Sequence, residues 1–299
     1  MQHQTTSRGG EHCRAITADR LILDGMLFRP EVVVPNLPVD VFLLIHGTGS
    51  NFSATGVLEA FTAEILARGT PVLRVNTRGH DRVASIPVDG GGMRNGGAAY
   101  EVIDECRHDI AAWLELLAAR GLSRVALVGH SMGAVKAIYS QALEPHPNVK
   151  LLIAISPPRF CHANFMTHPK AQPFRDDFAR ASQLVGEGRG EEMISVKQPL
   201  PLELTAAGFI AKYGPHDDYD IVKHLLRLTV PTLVMVGDES VAYSPAFDSL
   251  PETLSKIAAT QTSLTFELVC SADTSYQACL DVPFTIAAAW LNRGSQTSK

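Results

Sequence analysis

Cysteine is scarce and unpatterned in this chain. The five residues Cys13, Cys106, Cys161, Cys270 and Cys279 are odd in number, and no two are spaced C-x-x-C. That argues against a disulfide framework and against a structural zinc site. Charge is also thin, at 19% of residues, with 26 Lys+Arg against 31 Asp+Glu and a net charge of −5. A mildly acidic chain lacks the basic stripe that neutralises phosphates, so nucleic acid is not an expected partner. No apolar run approaches the roughly 20 residues that span a bilayer. The N-terminal MQHQTTSRGGEHCRAITADR has no apolar segment of the secretory kind. Histidine is missing from the whole stretch 225–299, the last one being His224.

What is present is apolar. At 45% hydrophobic residues the chain has the balance of a folded protein, and 299 residues suffice for one large core plus an accessory segment. The expectation is a soluble, cytoplasmic protein that acts on a small molecule, with no membrane partner and an oligomeric state the sequence leaves open.

Residues 1–16 read as a polar, disordered N-terminus. LILDGMLF (21–28) reads as a hairpin turning at Asp24-Gly25. Short apolar runs then alternate with helical patterns. VFLLI (41–45) precedes a helix over 57–68, and PVLRVN (71–76) precedes a long Gly-rich loop over 77–98. A helix over 100–120 leads to VALV (125–128), a helix over 131–143 and VKLLIAI (149–155). Residues 157–228 break the rhythm, which resumes with TLVMV (232–236), a helix within 249–259, LTFELV (264–269) and a helix around 284–291. Strands apolar throughout and alternating with helices indicate a mostly parallel sheet buried on both faces. The fold class is α/β, a mostly parallel central sheet flanked by helices. The core spans 17–156 and 229–299, with an inserted helical cap over 157–228.

The strongest chemical signal is Gly129-His130-Ser131-Met132-Gly133, between the strand VALV and the helical AVKAIYS. A serine in G-x-S-x-G at a strand-to-helix turn is held out at the sheet's edge, and the glycines leave room for the turn. At a helix N-terminus, free N–H groups favour developing negative charge.

From about residue 17 to 292 the chain resembles an α/β-hydrolase. His46-Gly47-Thr48-Gly49 resembles that family's loop after the third strand, and Asn76-Thr77-Arg78-Gly79-His80 its loop after the fourth. The resemblance implies Ser131 as nucleophile and the backbone N–H groups of Thr48 and Met132 as oxyanion hole. His46 becomes a candidate to touch substrate. His130 is expected to pack with its side chain pointing away from the pocket.

A serine hydroxyl needs a base, usually a histidine held by a carboxylate. The family's acid follows the penultimate strand, where this chain reads Gly237-Asp238-Glu239-Ser240. Ser240 aligns with the acid, and a shift of a residue or two would let Asp238 or Glu239 serve. The family's histidine follows the last strand, where Cys270-Ser271-Ala272-Asp273-Thr274-Ser275-Tyr276 places Thr274. Threonine has no titratable nitrogen and cannot act as general base. Three explanations stand: a histidine from elsewhere (His80, His162, His168 or His216) substitutes; a non-hydrolytic reaction uses the pocket, with Ser131, Tyr276 or a carboxylate moving the proton; or a ligand binds without turnover. Candidate pocket residues are therefore His46, His80, His162 and Tyr276.

Other features imply less. Glu101, Asp104, Glu105 and Asp109 on one helix read as a solvated or loop-bracing face. His216-Asp217-Asp218 with Asp220 and His224 reads as a helix start, and the aromatics Phe160, Phe165, Phe174, Phe178, Phe209 and Tyr213 as pocket roof or cap packing. No H-E-x-x-H, P-loop or dinucleotide fingerprint occurs, so neither metal nor cofactor is expected. The expected function is turnover of a small or medium apolar ester, lactone or thioester through Ser131 with a degenerate triad. The alternatives are a lyase, isomerase or cyclase, as in secondary metabolism, or a ligand-binding pseudoenzyme.

Overall fold

The computed structural model describes residues 9–32 and 37–296, with side chains through 293. The chain opens with β1 (Gly10–Ile16), β2 (Ile22–Phe28) and β3 (Val41–Ile45), then α1 (Val57–Ala67) and β4 (Val72–Val75). A small hairpin, β5 (Ala84–Pro87) and β6 (Met93–Gly96), precedes α2 (Cys106–Ala119), β7 (Val125–His130), α3 (Met132–Leu143) and β8 (Val149–Ile155). The inserted segment holds α4 (His162–Thr167), α5 (Gln172–Gly186), β9 (Met193–Val196), β10 (Leu202–Thr205), α6 (Ala206–Tyr213) and α7 (Ile221–Leu225). The chain returns through β11 (Thr232–Gly237), α8 (Asp238–Tyr243), α9 (Leu250–Ala258), β12 (Leu264–Val269) and α10 (Val282–Gln296).

Eight strands form one sheet in the order β1-β2-β4-β3-β7-β8-β11-β12. Pairing is parallel from β4 through β12 and antiparallel at β1–β2 and β2–β4. The fully buried strand β3, VFLLI, follows from its position between two layers of helices. One face packs on α2 and α3, the other on α1 and α10, where Phe61 meets Phe284 edge-on at 5.0 Å. The expected architecture is therefore the observed one. Ligands of such sheets bind outside the carboxyl ends of the strands, and that edge is where β3, β7, β11 and β12 deliver the residues discussed below.

Several local expectations are corrected. Residues 1–8 lie outside the described residues, but Gly10–Ile16 is an edge strand paired with β2 along its length, so the disordered reading of 1–16 fails there. Its alternation of exposed and buried residues puts Cys13 and Ala15 into the core. The turn between the two strands is at 17–20, not at Asp24-Gly25. Thr17 Oγ1 accepts the Leu21 N–H at 2.8 Å, and Arg20 takes a positive φ of 72°. Gly25 instead sits within β2, where a Cβ would lie 2.9 Å from Trp113 and from the Arg74 carbonyl. The 77–98 segment is not structureless: β5 and β6 pair across Gly90, Gly91 and Gly92, all at positive φ. The helix expected from residue 100 begins later, with a single 3₁₀ turn at Ile103–Glu105 ahead of α2. The inserted segment carries a two-stranded sheet, β9–β10, beside its helices.

Candidate active site

Ser131 joins the end of β7 to the start of α3 with φ 52° and ψ −120°. This is a region an L-residue occupies at a cost of about 1–3 kcal/mol. Backbone bonds hold it there, from the Ser131 N–H to the Ile155 carbonyl at 2.8 Å and from the Ala134 N–H to the Ser131 carbonyl at 3.0 Å. The two flanking positions leave no space for a side chain. A Cβ on Gly129 would lie 2.3 Å from the Gly133 carbonyl oxygen, and one on Gly133 would lie 2.2 Å from that of Ile45. The architecture is that of a nucleophile elbow. Among the described residues no side chain is hydrogen-bonded to the Ser131 hydroxyl.

Ser131 opens onto a cavity of about 670 Å³ whose wall includes Gly47, Thr48, Arg74, His130, Leu200 and Thr274. The loop after β3 comes close: a Cβ on Gly47 would meet the Ser131 Cβ at 3.2 Å. Thr48 is half-buried on that loop, and Met132 is the first residue of α3. His130 is among the residues on the cavity wall, next to Ser131 in the chain. Its Nε2 lies 2.8 Å from the Thr274 carbonyl. A carbonyl only accepts, so Nε2 carries the proton and Nδ1 holds a free lone pair. Burial lowers the His130 pKa, which keeps the ring neutral.

The loops after β11 and β12 meet at the same edge. Ser240, buried in α8, places its hydroxyl 2.9 Å from that of Thr274. Asp238 and Glu239 open α8. Asp238 is half-buried with Oδ1 lacking a hydrogen-bond partner, and Glu239 is exposed. Among the described residues, neither lines the cavity and neither is hydrogen-bonded to a histidine.

None of the four candidate pocket residues His46, His80, His162 and Tyr276 is on the cavity wall. His46 is buried beneath it. Nδ1 donates to the Gly47 carbonyl at 2.8 Å, and Nε2 accepts the Thr77 N–H at 3.2 Å. Burial, with Lys136 nearby, lowers its pKa to about 3, so the ring is neutral and both nitrogens are engaged. His80 bonds Asp81 at 2.9 Å. His162 donates to the Tyr213 carbonyl and packs on Phe178, its ring centroid 4.6 Å away. Tyr276 is fully buried, takes a hydrogen bond from Ser156 at 3.2 Å, and has its pKa pushed up to about 12 by burial. His46, His162 and Tyr276 are engaged in hydrogen bonds away from the cavity, and His80 in one with Asp81.

The acidic helix face proves to brace a loop. Arg78, only 3% exposed, is gripped by Asp109, Glu105 and Asp19, and Arg94 joins Asp19 and Glu105 from the β5–β6 hairpin. Glu101 lies ahead of the helix and is buried in an ion pair with Lys136, which also donates to Thr77 Oγ1 at 2.9 Å. Lys212 reaches into this interior from α6 without a hydrogen-bond partner. Burial works against the Glu101 carboxylate, but Lys136 and Lys212 outweigh it and hold its pKa low. Asp220 caps α7 and pairs with Arg159, which makes the 216–224 cluster a helix start. The cap aromatics pack against one another, edge-on, stacked and tilted, as that segment's core. Among the described residues no group of three or more His, Cys, Asp or Glu is arranged to hold a metal ion, and no helix is long and apolar enough to cross a membrane.

Two cavity residues escaped the sequence reading. His130, expected only to pack, is anchored through Nε2 to the Thr274 carbonyl at the bend of the elbow. Arg74 is marked in the sequence as the lone charge inside the strand PVLRVN.

The sequence matches the alpha/beta hydrolase family over residues 42–294, and the chain belongs to that family. Its fold is similar to Est1E from Butyrivibrio proteoclasticus with ferulic acid bound, at 15% identity and TM-score 0.64, covering 96% of this chain and 100% of that one. A soluble variant of monoglyceride lipase from Saccharomyces cerevisiae in complex with a substrate analog gives 17% identity and TM-score 0.64, with 98% and 97% covered. The α/β hydrolase GrgF from Penicillium sp. sh18 gives 13% identity and TM-score 0.62, with 96% and 97% covered. At these identities the likeness is one of fold. Among curated protein sequences none matches this chain. Fold and elbow are those of a serine-hydrolase-like enzyme.

Proposed function

We propose that the protein hydrolyses a small or medium ester, lactone or thioester through Ser131, with a site in which the usual charged acid–histidine pair is absent. The observation that carries this reading is the strained Ser131, set at the N-terminus of α3 on a cavity wall and against the loop of Gly47 and Thr48. In the proposed reaction Ser131 Oγ attacks the carbonyl carbon, and the oxyanion is held by the Thr48 and Met132 N–H groups, each such donor worth about 2.7–4 kcal/mol. His130 is the one histidine among the described residues that line the cavity. We assign the Oγ proton to its Nδ1, with Nε2–H anchored by the Thr274 carbonyl. The proton then passes to the leaving group as the C–O or C–S bond breaks, and water releases the acyl group by the reverse sequence.

Intact-mass detection of labelling by a fluorophosphonate tests this. Wild type is expected to gain one label, Ser131→Ala none, and His130→Gln to label about 10²-fold more slowly, the low end for a lost general base. Well-folded wild type that does not label removes the acyl-enzyme mechanism.

The Ser240–Thr274 hydroxyl pair favours a second reading, an α/β-hydrolase-fold lyase, isomerase or cyclase in which no acyl-enzyme forms. Turnover of a carbonyl substrate without any covalent intermediate would select it. Tight ligand affinity without turnover, unchanged by Ser131→Ala, would select a pseudoenzyme.

A further inference from the structure

Arg74 is the third residue of β4, on the same face as Val72 and one residue from the strand's carboxyl end. It is 6% exposed and lines the cavity onto which Ser131 opens. Among the described residues its guanidinium makes one hydrogen bond, from Nη2 to the Ala54 carbonyl. A guanidinium has five N–H donors in a planar fork and stays charged, so most of this donor set lacks a protein acceptor. Among the described residues no carboxylate lies within ion-pair distance of Arg74, whereas the other buried arginine, Arg78, is held by three. The one other charged side chain on the cavity wall is Glu59, exposed at the start of α1 and beyond that distance. A buried charge without its pair is costly. An arginine set this way is matched to an anion that comes from outside the chain, and its fork suits a carboxylate bidentately.

We propose that Arg74 is a specificity residue of the Ser131 cavity, and that the substrate is an ester or thioester bearing a carboxylate group away from its reacting carbonyl. The inference rests on the hydrolase reading for the word substrate, but the anion site is independent of it. The remaining wall suits the chain between the two ends, with Val57, Leu58, Leu200 and Leu280 apolar and Asn51, Ser275 and Gln277 polar. A cavity of about 670 Å³ lies within the size range of small-molecule sites.

Calorimetric titration in the Ser131→Ala background, which prevents turnover, tests the anion site. The probes are monomethyl succinate, adipate and suberate, each compared with its dimethyl ester. The monoacid of at least one length is expected to bind tenfold or more tightly than its diester, the scale of a charged hydrogen-bonded contact. Arg74→Met is expected to abolish that preference and Arg74→Lys to weaken it, since a point charge replaces a fork. Glu59→Gln, which leaves Arg74 in place, is expected to tighten the monoacid about twofold to threefold and serves if Arg74→Met does not fold. Equal binding of acid and diester, binding of neither, or a preference that survives Arg74→Met would overturn the inference. Acid preference in a protein that fluorophosphonates do not label would overturn the hydrolase reading alone. Labelling without acid preference would overturn this inference alone.

Discussion

The hydroxyls of Ser240 and Thr274 lie 2.9 Å apart and tie the loop after β11 to the loop after β12. A second tie runs from the Glu239 N–H to the Ala272 carbonyl at 3.1 Å. In the resemblance these two positions are those of the acid and the histidine. The contact between them is kept, but neither group titrates near neutral pH, so it carries no charge relay.

Refitting that pair is therefore expected to restore a base. The double variant Ser240→Asp, Thr274→His should raise kcat/KM for 4-nitrophenyl butyrate by about 10²-fold or more over wild type. Thr274→His alone should gain less, because nothing orients the new ring. Adding Ser131→Ala should erase the gain. A folded double variant with no gain would mean that these are not the vacated positions.

Glu101 compensates two buried cations. Glu101→Gln leaves Lys136 without its ion-pair partner and Lys212 without the nearby carboxylate. A loss of about 3–5 kcal/mol of unfolding free energy is expected, read from urea denaturation. Combining Glu101→Gln with Lys136→Met should cost less than Glu101→Gln alone, which distinguishes an uncompensated charge from lost packing.

The elbow tolerates no Cβ at its second glycine. In Gly133→Ala the new methyl meets the Ile45 and His46 carbonyl oxygens, which are backbone atoms with little freedom to move. Destabilisation toward the upper end of the usual 1–3 kcal/mol for overpacking, roughly 3 kcal/mol, is expected. A thermal melt and fluorophosphonate labelling should fall together. An unchanged melting temperature would contradict the close packing of α3 on β3.

His46 makes stability depend on pH in a definite window. Its folded pKa of about 3 lies below the ordinary 6.5, so the unfolded chain takes up a proton that the folded one does not. Its contribution is complete above about pH 6.5 and is lost as pH falls toward 3, with a slope of up to about 1.4 kcal/mol per pH unit. Burial disfavours the charged ring most, Lys136 and His80 add to it, and the Gly47 hydrogen bond and Glu101 partly oppose them. His46→Asn retains a donor for the Gly47 carbonyl and should flatten the curve of unfolding free energy against pH by about one proton between those limits. Parallel curves for wild type and variant would show that His46 titrates freely in the fold.

Much of this molecule is legible in one dimension because its core strands are apolar on both faces. VFLLI, VALV and TLVMV have no alternation, and only a sheet covered twice buries such runs. G-x-S-x-G is legible for a similar reason, since a tight turn between strand and helix leaves no room at either glycine. Asp24-Gly25 misled because a glycine that admits Trp113 looks the same in sequence as one that makes a turn. The absence of histidine beyond His224 could be read without any structure, because no arrangement of the last two loops can supply an imidazole they do not contain.

The sequence by itself thus determined the layered α/β architecture, the position of the strand-to-helix turn that carries Ser131 and the absence of histidine after His224. Only the tertiary structure decided which groups face the cavity. His46, His80, His162 and Tyr276 are turned into hydrogen bonds and packing, while His130 and Arg74 reach the wall beside Ser131. Local periodicity reports whether a residue is buried, but the direction of a side chain at a bend or strand end is set by contacts distant in sequence. Arg74 is buried by a loop twenty residues upstream, and His130 is oriented by a carbonyl 144 residues downstream.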